Sequence, residues 1–454
     1  MKKVIIVLLV LIFTSGDFIY SQKLSRPNLE KYSRVSFQIR VVGDILAGVK
    51  ENLTGLPVPF ASRIIKELKT NKKEASVSDN TQFVFTGATT IFDLVSNSTP
   101  NNICQNPDNN LLIHSALMCS PPGDPSGFPG RRTKYYYSWS TGTNWTYVTD
   151  CPSTRSGFPV ITLLADIADA RDFITNYGKV GGSQADPCFY IDNLSGSGTF
   201  TLFEHPSYAP YLYPKITSTY SVTIQNKLVA LACNNSSPDD SLFYTIWLSA
   251  NPPPGSFTPW TYVGPSSFER YQIARGSDGR IGIVYIVRRS NNPVDYGSVF
   301  FTESTNNGTS FNTPIKIYNA NFNTDSLGAF QGISLVYLGN SPKVVFETVK
   351  QKTNGSYFPG APAKIRFWSN SLPGIDPNRS IKLADSNDVG YHPYISTGAI
   401  SDLFAPLCRP TIGVSGSVMF VSFMVPSNLI GGSHDTFSYI YILMAISGNG
   451  CISW

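Results

Sequence analysis

The sequence predicts an all-β fold in which one four-strand unit repeats six times, and three observations lead there. Of 454 residues, 13% are aromatic and only 14% charged, against about 25% charged in ordinary soluble domains. With 36 Gly and 32 Pro, that mixture suits short strands joined by tight turns. Apolar or alternating runs such as 281–287 (IGIVYIV), 343–349 (KVVFETV) and 418–425 (VMFVSFMV) are rich in β-branched and aromatic residues and too short for helices. A turn motif recurs, and from Ser249 to Ser304 the interval is 55 residues. A period of that length with four strands per unit describes the blades of a β-propeller, here six-bladed.

Taken in order, the chain opens with Lys2 and Lys3, an apolar run over 4–13 and a polar stretch ending Tyr20-Ser21-Gln22. This is the layout of a secretory signal peptide, with cleavage expected after Ser21. The run is too short to span a bilayer comfortably, and no later segment reads as a membrane span. Residues 22–81 read as a leader and linker. Within them Ser62 caps a short helix through Ile64, Ile65 and Leu68, with Lys66, Lys69, Lys72 and Lys73 on its solvated face. Residues 82–454 hold the propeller, in units near 82–150, 151–208, 209–265, 266–320, 321–385 and 386–454. Each begins with a short inner strand, as at Pro214-Lys215-Ile216, Tyr271-Gln272-Ile273 and Pro410-Thr411-Ile412.

The recurring turn is clearest twice. Ser138-Trp139-Ser140-Thr141-Gly142-Thr143-Asn144-Trp145 reads S-x-S-x-G-x-N-W, and Ser304-Thr305-Asn306-Asn307-Gly308-Thr309-Ser310-Phe311 reads S-x-N-x-G-x-S-F. A short polar third residue bonds turn amides, the glycine allows positive φ, and the aromatic packs back on the blade. Weaker copies start at Ser195, Ser249, Ser369 and Ser447. The last unit stops at Trp454, its own aromatic position. Its outermost strand is expected either from 82–95 or from a continuation of the chain, so the last blade reads as incomplete.

These turns resemble the Asp-box, or bacterial neuraminidase repeat, and 82–454 is similar to the sialidase-like propeller superfamily. Segments 131–145, 296–311 and 364–380 look like secreted propellers of the Bacteroidetes/Ignavibacteria group. The resemblance implies a search for three carboxylate-binding arginines, a Tyr/Glu pair and an acid. Arg155, Arg270 and Arg409 stand near inner-strand starts in three units and are the candidate ligand-binding residues. The Phe/Tyr-Arg-Ile-Pro segment of the family is absent, and no facing pair of carboxylates can be named, so no catalytic residue is assigned. The expected function is an extracellular binding or adhesion module for a glycan or a cell-surface protein. The alternative is a divergent exo-glycosidase of the sialidase type acting on acidic sugars.

Other chemistries find no support. A net charge of +5 with scattered positive residues does not suggest nucleic acid. No cofactor loop stands between a strand and a helix. The seven cysteines (104, 119, 151, 188, 233, 408, 451) form no CxxC pair and there are four histidines, so no metal is assigned. Export permits disulfides, and Cys104–Cys119 is a candidate local bridge.

Overall fold

A computed structural model describes Arg40–Val42 and, between residues 101 and 447, the strands and most of the turns joining them. The signal peptide, the Ser62 helix, the 82–95 strand, the Ser249 turn and Trp454 lie outside the described residues. Strands run in chain order from β1 (Arg40–Val42) to β25 (Tyr439–Ser447) and form six sheets.

The first sheet comprises β2 (Ile103–Gln105), β3 (Ile113–Cys119), β4 (Arg132–Ser138) and β5 (Thr146–Asp150). The second comprises β6 (Arg155–Leu163), β7 (Asp172–Lys179), β8 (Asp186–Asp192) and β9 (Phe200–Glu204). In the third, β10 (Leu212–Ser218), β11 (Lys227–Asn234) and β12 (Ser241–Leu248) are edged by β13 (Ser256–Phe257) and β14 (Thr261–Gly264). The fourth is β15 (Tyr271–Arg275), β16 (Ile281–Ile286), β17 (Val299–Ser304) and β18 (Ile315–Tyr318). The fifth is β19 (Leu327–Leu338), β20 (Ser341–Lys350), β21 (Ala363–Ser369) and β22 (Ile381–Asp385). The sixth pairs β23 (Cys408–Ser415), β24 (Val418–Ser427) and β25 with β1. The repetition of four-stranded antiparallel sheets is that of a β-propeller.

Packing between successive sheets explains the apolar runs. In β11, Leu228 and Ala230 pack with Phe173 and Phe189 of the second sheet. Their alternates Val229 and Leu231 pack with Ile273 and Ile283 of the fourth. A strand buried on both faces has no polar side to alternate, so it reads as a continuous hydrophobic stretch. The same holds in β20, where Val344 and Phe346 face one core and Val345 and Val349 the other. The first strands β6, β10, β15, β19 and β23 contact one another in that order, so they line the inside of the array.

No helix appears among the described residues, and what is described of the leader is the strand β1; the expected Ser62 helix lies outside them. The outer place of the sixth sheet is filled by β1, which runs parallel to β25 with Arg40 opposite Leu443 and Val42 opposite Ala445. The described sixth sheet thus has four strands with 40–42 in its outer place; residues 82–95 lie outside the described residues. Cys104 and Cys119 are both free thiols. Cys104 is registered with His114, and Cys119 lies five residues further along β3, roughly 16 Å away at strand rise, beyond disulfide reach.

Candidate functional site

In an antiparallel four-strand sheet the third strand runs parallel to the first. The start of every first strand and the end of every third strand therefore lie at opposite ends of the molecule. The two ends are built differently.

At one end the third strands turn. Their last residues are Ser138, Asp192, Leu248, Ser304, Ser369 and Ser447, and the four serines and the aspartate are buried. Ser138 Oγ accepts from the N–H groups of Ser140 (3.3 Å) and Gly142 (3.1 Å). Ser304 Oγ likewise accepts from Asn306 N (3.4 Å) and Gly308 N (2.9 Å). The third residue of each motif closes the loop. Asn144 N donates to Ser140 Oγ at 3.0 Å, and Ser310 N donates to Asn306 Oδ1 at 2.9 Å. Gly142 and Gly308 have φ of 82° and 78°. Trp145 packs on Leu117, Cys119 and Tyr136, and Phe311 meets Tyr244 edge-on at 4.9 Å. In the second sheet the bonding group is an acid that motif reading missed. Asp192 accepts from Ser197 Oγ (2.5 Å), Gly198 N (2.9 Å) and Thr199 N (3.1 Å). In the fifth sheet Lys343 Nζ donates to Ser369 Oγ (2.9 Å), Ser341 Oγ and Ser371 Oγ (both 3.2 Å). These corners tie strands together and present little chemistry.

The other end is a series of bulges. Pairing of β6 with β7 jumps from Gly157↔Tyr177 to Val160↔Thr175, one extra residue on the first strand. The same break occurs between Leu212 and Lys215 in β10 and between Cys408 and Thr411 in β23. In β19 the break between Ala329 and Ile333 is larger. Inside the three single bulges Phe158, Tyr213 and Arg409 each have φ of 55°, left-handed values costly for any residue but glycine. Glu269, two residues before β15, has φ of 60°. A bulge re-aims side chains and interrupts a ladder, so β6, β10 and β23 present Phe, Tyr and Arg from equivalent places, and Glu269 stands just ahead of β15. The sequence trace is the recurrent X-Pro at 158–159, 213–214 and 409–410. Proline has no N–H to lose where the ladder is already broken.

These residues meet in two groups. Phe158 stacks on Tyr177 at 5.3 Å and meets Tyr213 edge-on at 4.9 Å, while Tyr177 and Tyr213 are 5.6 Å apart. All three rings are half-buried. Behind them the buried Arg131 guanidinium lies 5.7 Å from the Phe158 ring centre and 5.5 Å from that of Tyr177. It donates through Nε to Ser156 O (2.9 Å) and through Nη2 to Tyr177 Oη (3.3 Å). Arg155 donates to Phe128 O at 3.1 Å, and partial burial, then the Arg131 charge, hold its pKa below the ordinary arginine value. The second group surrounds the β19 bulge. Arg270 Nε donates to Phe330 O at 3.0 Å. The buried Glu347 carboxylate accepts from Gln331 N (3.1 Å) and Arg409 N (2.6 Å), which joins the bulges of β19 and β23. Burial raises the Glu347 pKa, against the opposing pull of Arg409 and the backbone donors. Between the groups the buried Lys215 Nζ lies 3.9 Å from Glu269 Oε1.

Of the three arginines singled out in the sequence, Arg270 and Arg409 border the same bulge, whereas Arg155 stands with Arg131 and the aromatic rings. Arg131, Phe158, Tyr177, Tyr213 and Lys215 are the site residues sequence reading passed over as a site.

No family model and no curated protein matches the chain. Among solved structures it is similar to a Dyadobacter fermentans protein of unknown function, at 14% identity over 75% of this chain and 92% of that one, TM-score 0.39. It is also similar to the NanB sialidase of Streptococcus pneumoniae, at 9% identity over 75% of this chain and 67% of that one, TM-score 0.39. A third is the GH93 alpha-L-arabinofuranosidase of Fusarium graminearum, at 11% identity over 75% and 90% of the two chains, TM-score 0.41. Likenesses this distant give no information on what this chain binds or does.

Proposed function

We propose that the protein is a secreted, six-bladed sialidase-like propeller that acts as an extracellular binding or adhesion module, with carbohydrate as its ligand. In this reading residues 1–21 are removed on export, 22–81 form the leader and 82–454 the propeller. One observation carries the functional part: left-handed residues at equivalent bulges present Phe158 and Tyr213 beside Tyr177, Arg131 and Arg155. Aromatic faces stack on the C–H faces of sugars, and half-buried rings held by one another lose little freedom on doing so. Strained backbone kept at several equivalent places is typical of ligand sites. Arg155, partly buried beside them, supplies donors at the rim.

A printed glycan array probed with the secreted protein tests this reading. Binding to one group of glycans, cut at least tenfold by Phe158→Ala, is expected. Absence of binding to any glycan would overturn it. Fluorogenic sialosides and arabinosides should not be turned over; turnover abolished by Arg409→Ala would favour the glycosidase alternative.

A further inference from the structure

In the third sheet the outer place is shared by two short strands, β13 and β14, whereas β5, β9, β18 and β22 each fill theirs alone. Thr258, Pro259 and Trp260 stand in the break and are held there. Thr258 N donates to Ile246 O at 2.9 Å, Thr258 O accepts from Thr245 Oγ1 at 2.6 Å, and His205 Nε2 lies 2.9 Å from the same carbonyl. The His205 ring in turn supports the Trp260 ring, 5.1 Å between centres. Trp260 begins a chain of rings. Tyr211 meets it edge-on at 5.1 Å and stacks on Phe243 at 4.6 Å, and Phe243 meets Tyr262 edge-on at 5.9 Å. Tyr262 is 51% exposed and the other three are half-buried. A contiguous group of aromatic rings kept partly in water marks an interaction surface.

This group belongs to the bulge end. Leu212, Cys233, Leu242 and Gly264 are registered in one row across the sheet, and that row opens at the β10 bulge. Tyr211 immediately precedes Leu212 in the chain, and Phe243 opposes Tyr262 beside the row. Tyr211 is two residues from Tyr213, so their Cα atoms are at most about 7 Å apart. From β10 to β14 the sheet spans roughly 14 Å at ordinary strand spacing. We propose that the two aromatic groups are the inner and outer parts of one track at the bulge end, whose ligand is a glycan chain lying across the third sheet rather than a single terminal sugar. This rests on the carbohydrate-binding reading above. Phe158, Tyr177 and Tyr213 take one sugar near the inner strands, and Phe243, Trp260 and Tyr262 take sugars further along the chain. The outer rings carry no charge at neutral pH, so they recognise the C–H faces of sugars and leave the hydroxyls to the phenols and to water. Each further sugar adds stacked area after the loss of overall freedom has been met at the first.

Titration calorimetry of the full chain tests this, with size-graded oligosaccharides, dimer to hexamer, of cellulose, xylan, mannan and polygalacturonate. Affinity within the best series should rise at least tenfold from dimer to hexamer. Tyr262→Ala, at an exposed edge position, should abolish that rise, leave dimer binding unchanged and melt within about 2 °C of the parent. Tyr262→Phe keeps the ring and should keep the rise. Trp260→Ala serves as a second variant and should flatten the series in the same way, whereas Phe158→Ala should weaken every length alike. Equal affinity for dimer and hexamer overturns the proposal and leaves the binding reading standing. So does an equal loss at every length in Tyr262→Ala, and so does binding of terminal sugars on the array with none of these series bound. Binding of no glycan, on the array or in these series, overturns the binding reading and this proposal together.

Discussion

Gly308 and Gly416 both have positive φ, 78° and 58°, yet their surroundings differ, and the difference separates backbone strain from packing. A methyl group on Gly308 would stand 2.6 Å from Val229 Cγ2 and 3.1 Å from Ile281 Cδ1, whereas on Gly416 it would meet nothing within 4 Å. Left-handed backbone costs an L-residue about 1–2 kcal/mol. Forcing a methyl into packed side chains adds about 1–3 kcal/mol. Gly308→Ala should therefore lose about 3 kcal/mol and Gly416→Ala about 1 kcal/mol. At about 2 °C per kcal/mol for a large chain, the melting temperatures should fall by roughly 6 °C and 2 °C. Asn307, at φ 59°, is a residue type that tolerates this region, so Asn307→Ala should cost about 1 kcal/mol, well under Gly308→Ala. Thermal melts followed by circular dichroism give all three. Equal losses at positions 308 and 416 would show that the third-strand corner does not pack on β11 and β16 as described.

The remaining expectations are shorter. Intact-mass analysis of secreted material should lack Met1 to about Ser21, and a mass that includes Lys2 and Lys3 would contradict export with cleavage. Glu347→Ala should lower stability by about 3 kcal/mol, since it strips the charged acceptor from two N–H groups that join β19 and β23; a chemical-denaturation shift under 1 kcal/mol would refute that role. Burial, and then Glu204, raise Asp186 to about 6. The folded state therefore binds a proton more tightly than the unfolded chain, and this residue's contribution to stability falls as pH rises from about 4 to 6. Asp186→Asn should melt higher than the parent at pH 7, and the gap should close at pH 4; a gap independent of pH would refute it. Burial pushes the Cys119 and Cys188 thiols up to about 12, so native protein at pH 8 should leave both unlabelled by iodoacetamide, whose target is the thiolate.

The strands were legible because their burial is extreme. β16 and β20 pack on both faces and β24 on one, so 281–287, 343–349 and 418–425 stand out as runs dominated by apolar residues. The corners at Ser138 and Ser304 were legible because their bonding needs a serine, a short polar residue and a glycine at fixed offsets. Asp192 was hidden because its turn is compressed: the acid precedes Asn193 and Leu194, while the glycines that answer it are 196 and 198. The bulge end left almost no trace. One extra residue per strand shifts register without changing composition, and a proline inside a strand reads equally as an edge. The partnering of Lys215 with Glu269 joins residues of different sheets, and no local pattern encodes it.

Binding and hydrolysis make different demands on the bulge end. Glycoside hydrolysis needs two carboxyl groups about 5–10 Å apart, facing one another across the scissile bond. Among the described residues, the acids at that end include Glu269, Glu347 and Asp124, whose carboxylate accepts from Gly130 N and whose charge acts on Arg155. Glu347 has one oxygen on Gln331 N and the other on Arg409 N, so its carboxylate is occupied in holding two inner strands together. Freeing it would forfeit charge-assisted bonds of about 1.5–3 kcal/mol each. Glu269 faces the Lys215 ammonium at 3.9 Å. Arg270 is similarly engaged with the Phe330 carbonyl. The aromatic group is held differently: Phe158, Tyr177 and Tyr213 pack on one another and against Arg131, and keep part of each ring in solvent. A ligand that stacks needs only the exposed faces of those rings. That difference between Glu347, tied between two inner strands, and the partly exposed rings is what supports the proposed binding module over the glycosidase alternative.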